Sequence, residues 1–208
     1  MIKILVSLVL IFSFLGCRNY DSQRYIDNEN HALESILHQM IDYQSMVQHN
    51  KMDTTNVKIF LFSTLDTIVC EFYRPGFSFN ENGDLYPIVL SREKQKEYKA
   101  ELEQYELDKK LFSPFINGKI KSRELDHKFE YSNLEVVLFS ENLLSLNLKP
   151  NELGYMYVSR IVFDRNFKKG YLSFSFFCGQ ACLWRYNIEI HKINGKWEIS
   201  RYFSGGIA

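Results

Sequence analysis

The sequence predicts an α+β fold, in which an N-terminal amphipathic helix packs on an antiparallel β-sheet and the chain ends in a β-meander. Three observations predict it. Apolar residues recur at helical spacing in one segment, between about Asn28 and His49. Alternating apolar and polar residues then mark several strands, most clearly near the C-terminus. Aromatic residues make up 15% of the chain, and aromatic side chains are enriched in strands.

The predicted N-terminal helix has one apolar face. The residues of this face are Leu33, Ile36, Leu37, Met40, Ile41 and Val47. Asn28 or Asn30 can cap the start of the helix. His31 and His38 lie on one side of it, without a cysteine or a pair of carboxylates nearby in the sequence. We therefore interpret both histidines as surface residues and predict no metal site.

Two apolar runs follow, and a short connection between them favours a hairpin. The first run is Val57 to Phe62, and the second is Asp66 to Tyr73. Cys70 lies in the second run. A lone cysteine in a strand is most often a small buried apolar residue, so we do not predict a nucleophile here. A shorter strand is predicted between Leu85 and Leu90.

A charged helix is predicted from Ser91 to Lys110. Its residues are good helix formers, and Lys and Glu lie three and four residues apart, which stabilises a helix. One face carries Lys94, Tyr98, Leu102, Tyr105 and Lys109. Because this face has few apolar residues, we expect a solvated helix that lies on the body of the domain. A surface for a partner is the alternative.

The second half of the chain is predicted to be a series of strands. The candidates are 128–131, 134–139, 143–148, 155–163, 171–178, 183–191 and 196–203. Asn194-Gly195 predicts a tight hairpin turn before the last strand, because both residues tolerate positive φ. Alternation places Trp197, Ile199 and Phe203 on the face that Ile188 and Ile190 share. Arg201 interrupts that face.

The composition excludes some classes of function. Lys plus Arg number 25 and Asp plus Glu number 25, so the whole protein has no net field that would attract nucleic acid or an anionic membrane. The sequence contains no P-loop, dinucleotide-binding glycine pattern, nucleophile elbow or HExxH motif. We therefore predict no cofactor, no bound metal and no nucleic-acid partner.

Residues 1–16 are predicted to be a signal peptide. Lys3 precedes an apolar run from Ile4 to Leu15, which is shorter than the about 20 residues of a membrane-spanning helix. The stretch Phe14-Leu15-Gly16-Cys17 resembles a bacterial lipobox. This resemblance implies that Cys17 is lipidated and heads the mature chain. Residues 17–27 would then be the lipidated cysteine with a polar tether, and residues 28–208 a single α+β domain.

The lipobox resemblance also implies a location. Several acyl chains hold a protein to a bilayer almost permanently, so the membrane is the predicted partner, through the lipid anchor at Cys17. The next residue is Arg18 and not Asp. By resemblance to lipoproteins of two-membrane bacteria, this favours the outer membrane within the cell envelope. A protein or envelope-polymer partner is not identified by the sequence.

Cys178 and Cys182 enclose a three-residue loop between two predicted strands. Export would place them in an oxidising compartment, where close thiols persist as disulfides. We therefore expect a structural disulfide, which stabilises such a short loop by only about 2 kcal/mol. The Cys-Gly-x-x-Cys turn and the later Asn-Gly-Lys-Trp hairpin (194–197) resemble exported bacterial lipoproteins of unknown function, a resemblance that implies no activity.

The sequence leaves three functions open. The first is a membrane-anchored envelope lipoprotein with a non-catalytic binding or structural domain. The second is a thiol–disulfide or copper-handling protein that uses Cys178 and Cys182, although His191 lies roughly 30 Å further along one strand. The third is a hydrolase of envelope polymers. Its only adjacent pair, Asp126 and His127, would point to opposite faces of a strand.

Overall fold

A computed structural model describes residues 19–41, 57–70, 77–79, 85–87, 91, 94–140, 148–178 and 183–203. Its helices are α1 (Gln23–Ile36), α2 (Lys94–Leu111) and α3 (Ser113–Ile116), and a 3₁₀ turn (Leu37–Gln39) extends α1. Its strands are β1 (Val57–Phe62), β2 (Thr64–Leu65), β3 (Phe77–Phe79), β4 (Leu85–Pro87), β5 (Arg123–Glu124), β6 (Leu134–Phe139), β7 (Glu152–Val158), β8 (Val162–Phe163), β9 (Lys169–Phe177), β10 (Leu183–Ile193) and β11 (Lys196–Tyr202).

Among the described residues, seven strands form one mixed sheet. Its order is β11-β10-β9-β7-β1-β6, and β8 pairs with β9. The strands β7, β9, β10 and β11 pair antiparallel, which confirms the α+β class and the C-terminal meander. By contrast, β1 pairs in parallel with both β6 and β7. Parallel neighbours require a long crossover connection, and the chain between β1 and β6, which contains α2, provides one.

The main core lies between α1 and one face of this sheet. Ala32, Leu33 and Ile36 of α1 are fully buried. The sheet residues of the same cluster include Ile59, Leu61, Leu172, Phe174, Phe176, Ile188, Ile190 and Trp197. Burial of each large apolar side chain stabilises the fold by about 1.5–3 kcal/mol. The predicted packing of the N-terminal helix on the sheet is therefore confirmed.

The N-terminal helix begins earlier than the sequence predicted. Its N-cap is Ser22 and its first residue is Gln23, five residues before Asn28. Tyr25, which is buried, lies in the added residues, and the buried Glu29 lies at the start of the predicted range. Because these residues are polar, they do not extend the apolar pattern on which the prediction rested. Val47 lies outside the described residues.

The sequence predicted that the run 57–62 forms a hairpin with the run 66–73. This prediction was wrong for residues 57–70, the part of the two runs that the structure describes. The neighbours of β1 are β6 and β7, and residues 67–70 are not in a strand. Asp66 accepts a hydrogen bond from the backbone N–H of Ile68 at 2.8 Å, which is a local turn that competes with strand pairing. The candidate strand at 128–131 is also not a strand. The candidate at 143–148 lies almost entirely outside the described residues.

A β-bulge in the last hairpin reverses the faces of its final residues. Glu189 is opposite Arg201, but the next residue, Ile190, is opposite Ile199, so Ser200 has no partner of its own. Trp197 and Ile199 face the main core as predicted. Arg201 and Phe203 do not share their face, contrary to the prediction.

A second apolar cluster lies away from the main core, and it includes Phe203. Its buried residues are Phe112, Phe115, Ile120, Val162 and Phe203, and Tyr20 and Tyr171 pack against it. This cluster attaches α3 and the end of α2 to the sheet. It also brings the N-terminal end of the described chain, at Tyr20, against α3.

Candidate functional site

A buried ion-pair network joins α1 to the turn between β7 and β8. The Nε of Arg160 lies 2.8 and 2.9 Å from the two carboxylate oxygens of Glu29, and neither side chain is exposed. The Nε of Arg123 donates to the same carboxylate at 2.8 Å. The backbone N–H of Ile161 also donates to it at 2.8 Å. The carboxylate of Glu29 therefore accepts four hydrogen-bond contacts from three donor groups and is fully paired.

The other nitrogens of Arg160 hold two backbone segments together. One donates to the carbonyl oxygen of Tyr20 at 2.6 Å, and the other donates to the carbonyl oxygen of Lys121 at 2.7 Å. The second of these nitrogens also lies 3.4 Å from the carboxylate of Asp21. One guanidinium group thus fixes the start of the described chain beside the segment that follows α3.

A second charge cluster lies at the edge of the sheet near α2. Glu189 is 8% exposed, and its carboxylate lies 2.6 Å from His191, 3.3 Å from Arg201 and 3.5 Å from Lys169. Burial acts to raise the pKa of Glu189, but the hydrogen bond from His191 and the three positive charges outweigh it, so this pKa is lowered. Arg201 also pairs with Asp108 of α2 at 3.0 Å. This cluster therefore links α2 to the sheet.

Cys70 lies in a polar patch on the face of the sheet opposite α1. Its backbone N–H donates to the hydroxyl of Ser173 at 3.3 Å, and its carbonyl accepts from the side-chain amide of Asn187 at 3.0 Å. The Ser173 hydroxyl in turn donates to the amide oxygen of Asn187. Burial raises the pKa of the Cys70 thiol, which keeps the thiol protonated at neutral pH. Cys70 is a free cysteine, half-buried and held by hydrogen bonds, and this environment does not activate it as a nucleophile.

The predicted lipidation and disulfide residues are only partly within the described chain. Cys17 and Cys182 lie outside it, so lipidation and the disulfide remain predictions. Cys178 directly follows the last residue of β9. In the pairing of β9 with β10, Leu183 is opposite Phe177.

The histidines behave as surface or structural residues. His31 and His38 are exposed, as predicted. His127 is half-buried, lies 3.4 Å from Glu34 and packs its ring on Phe129, whereas Asp126 is exposed. His191 is bound to Glu189. In the part of the chain that the structure describes, no group of three or more His, Cys, Asp or Glu residues could hold a metal ion.

An exposed apolar patch lies where α2 meets α3. Leu107 and Ile116 are 58% and 59% exposed. They line an open depression of about 850 Å³, together with Leu102, Glu103, Glu106, Lys109, Lys110 and Ser113. No residue of α2 is buried along its whole length, which confirms that this is a solvated helix. Tyr98, Leu102 and Tyr105 are half-buried, as expected for the face that lies on the body.

The segment after α3 carries two more positive charges, and it is held to α3 by a hydrogen bond from the backbone N–H of Lys119 to the carbonyl of Pro114 at 3.0 Å. Lys119 and Lys121 are exposed and flank the buried Ile120. We define the α2–α3 surface as Leu107, Lys109, Lys110, Ile116, Lys119 and Lys121. The only sequence signal for this surface is the alternative interpretation of the charged helix as a surface for a partner. It depends on the packing of α3 against Tyr20 and Phe203, residues distant in the sequence.

Comparisons with known proteins identified no relative of this chain. Within the described ranges, no helix has both the length and the apolar character needed to cross a bilayer. No family model, no curated protein and no solved structure matches this chain.

Proposed function

We propose that this protein is a membrane-anchored lipoprotein of the cell envelope, whose non-catalytic domain is held close to the bilayer by a lipid on Cys17. The sequence support is the lipobox-like stretch from Phe14 to Cys17 after an apolar run of signal-peptide length. The structural support is the contact that holds Tyr20, near the start of the described chain, against the domain.

The observation that carries the proposal is the hydrogen bond from Arg160 to the carbonyl of Tyr20, at 2.6 Å. Tyr20 is three residues after Cys17. Consecutive Cα atoms are 3.8 Å apart, so a lipidated Cys17 would lie within about 11 Å of a fixed point on the domain. A tether of this length keeps the domain at the membrane surface and gives it little freedom to move away.

The charged groups of the interior support a non-catalytic role. Glu29 and Arg160 are fully paired with each other and with the backbone. Glu189 is paired with His191, Lys169 and Arg201, and the thiol of Cys70 is kept protonated by burial. Each of these groups stabilises a contact between elements.

The proposal is tested by the variant Cys17→Ser and by the mass of the wild-type N-terminus. We expect the wild-type protein in the membrane fraction with an acylated Cys17, and the variant unprocessed or released. A wild-type protein that sediments with membranes but has an unmodified Cys17 would contradict the proposal.

A further inference from the structure

We propose that the α2–α3 surface is a second membrane contact, which binds anionic phospholipid headgroups through its lysines and inserts Leu107 and Ile116 into the interface. This inference rests on the proposed lipid anchor, because the anchor brings the surface to the bilayer. It adds a binding surface, its ligand and a fixed orientation of the domain.

The position of the anchor restricts which part of the domain can meet the bilayer. One guanidinium, that of Arg160, donates to the carbonyls of both Tyr20 and Lys121. Lys121 therefore lies beside the point from which the chain leaves for Cys17. The ring of Tyr20 also packs against the cluster that contains Phe115 and Ile120. Residues on both sides of this cluster lie within reach of a bilayer that holds Cys17.

The chemistry of the surface fits an anionic interface. Two large apolar side chains, Leu107 and Ile116, are more than half exposed. Lys109 and Lys110 line the same depression, and Lys119 and Lys121 are exposed in the segment that directly follows α3. Apolar side chains flanked by lysines are typical of segments that lie in the membrane interface. Each lysine near an anionic surface strengthens binding about fivefold.

The charges along α2 differ between the two ends of the depression. Glu103 and Glu106 line the depression on the side towards the N-terminus of α2. The lysines lie towards α3 and the anchored chain. An anionic bilayer would therefore attract the end of the depression that is nearest to Cys17 and repel the other end. A weak surface of this kind is effective because the lipid anchor keeps it at high local concentration.

The first experiment places an environment-sensitive fluorophore on the surface of the full-length, lipidated protein. The labelled variants are Ile116→Cys and, as a control at the opposite end of the sheet, Asn133→Cys, which precedes β6. Both are made in a Cys70→Ala background, and protein without an added cysteine serves as the blank. The proteins are reconstituted in vesicles of phosphatidylcholine with or without phosphatidylglycerol, which contain a headgroup-attached quencher.

We expect a blue shift and strong quenching at position 116 in the phosphatidylglycerol vesicles, and neither at position 133. Equal responses at the two positions, or no response at 116, would overturn the inference. The inference would also be overturned if the label at position 116 were protected only in the presence of another envelope protein, and not by the lipid.

The second experiment reverses charge. Lys119→Glu with Lys121→Glu should reduce the phosphatidylglycerol-dependent quenching at position 116 by at least tenfold, since two of four lysines are lost and two acidic groups are added. The control Lys128→Glu with Lys149→Glu makes the same change in net charge at two exposed lysines away from this surface. An equal loss in both pairs would contradict a local contact.

The mass of the N-terminus separates the two proposals. If Cys17 is acylated but position 116 does not respond, only the second contact is overturned. If Cys17 is unmodified, the lipid anchor itself is overturned, and the inference that rests on it falls as well.

Discussion

Arg160 and Glu29 are 131 residues apart in the sequence, yet their side chains form a fully buried ion pair at 2.8 Å. The pair joins α1 to the sheet, and Arg160 also donates a hydrogen bond to the carbonyl of Tyr20, near the start of the described chain. Glu29 and Tyr25 lie one helical turn apart, and the hydroxyl of Tyr25 donates to the carbonyl of Ile161 at 2.6 Å. The N-terminal half of α1 is therefore held by these polar contacts together with the packing of the Tyr25 ring on other aromatic rings.

We expect the variant Glu29→Leu to lower the free energy of unfolding by about 3–5 kcal/mol, because it leaves the buried Arg160 without its main counter-charge. The double variant Glu29→Leu with Arg160→Met should be less destabilised than Glu29→Leu alone, since the fully buried charge of Arg160 is removed and only the partly exposed Arg123 loses its carboxylate partner. Urea denaturation measures both values. A double variant that loses as much stability as the sum of the two single variants would contradict this account.

The lowered pKa of Glu189 predicts a dependence of stability on pH. The carboxylate is more acidic in the folded protein than in the unfolded chain, so its contribution is complete above the ordinary glutamate pKa of 4.5. It is lost as the pH falls below that value and through the lower folded pKa. In Glu189→Gln, the fall in stability below pH 4.5 should be smaller than in the wild type, when both are followed by urea denaturation across this range. An unchanged slope would show that other carboxylates account for it.

Gly154 occupies a position where a side chain cannot fit. Its φ is +149°, and an added Cβ would lie 2.2 Å from the carbonyl oxygen of Phe177. We expect Gly154→Ala to destabilise the fold by at least about 2 kcal/mol, from backbone strain together with the displacement of β9. Gly195→Ala is the matched control, because its φ is +85° but nothing lies within 4 Å of an added Cβ. Similar melting temperatures for the two variants would refute the steric argument.

The register of β9 and β10 supports the predicted disulfide. Phe177 is opposite Leu183, which is the last pair of this register that the structure describes. If the register continued by one step, Cys178 would be opposite Cys182. Directly opposite residues lie within disulfide range. Replacing both cysteines by alanine should lower the stability by about 2 kcal/mol and leave a folded protein, as measured by thermal unfolding. Native mass spectrometry that finds both thiols free, or copper bound to them, would favour the thiol–disulfide or copper-handling alternative.

The environment of Cys70 predicts slow reaction with alkylating agents. Burial, the largest effect, raises the pKa of its thiol, although the charge of Arg185 and hydrogen bonds from nearby serines act in the opposite direction. At neutral pH, iodoacetamide should therefore modify Cys70 much more slowly in the native protein than in urea. Equal rates in the two conditions would show that the thiol is accessible and ionised.

Local sequence patterns were sufficient for several elements. The limits of β1 and β6 agree with the predicted runs 57–62 and 134–139. The turn at Asn194-Gly195 has the predicted positive φ at both residues. These features depend on side-chain alternation and on the conformational freedom of single residues, which are properties of short segments.

Only the tertiary structure decided the features that position the candidate surface. The parallel pairing of β1 and the β-bulge at Ser200 depend on which strands meet across the sheet. The pairing of Glu29 with Arg160 depends on contacts between residues far apart in the chain. Periodicity describes the faces of one element and carries no information about its neighbours. The sequence by itself therefore determined the α+β class and the C-terminal meander, whereas long-range packing decided where α1 begins, which face Arg201 and Phe203 take, and how the segment after α3 comes to lie beside Tyr20.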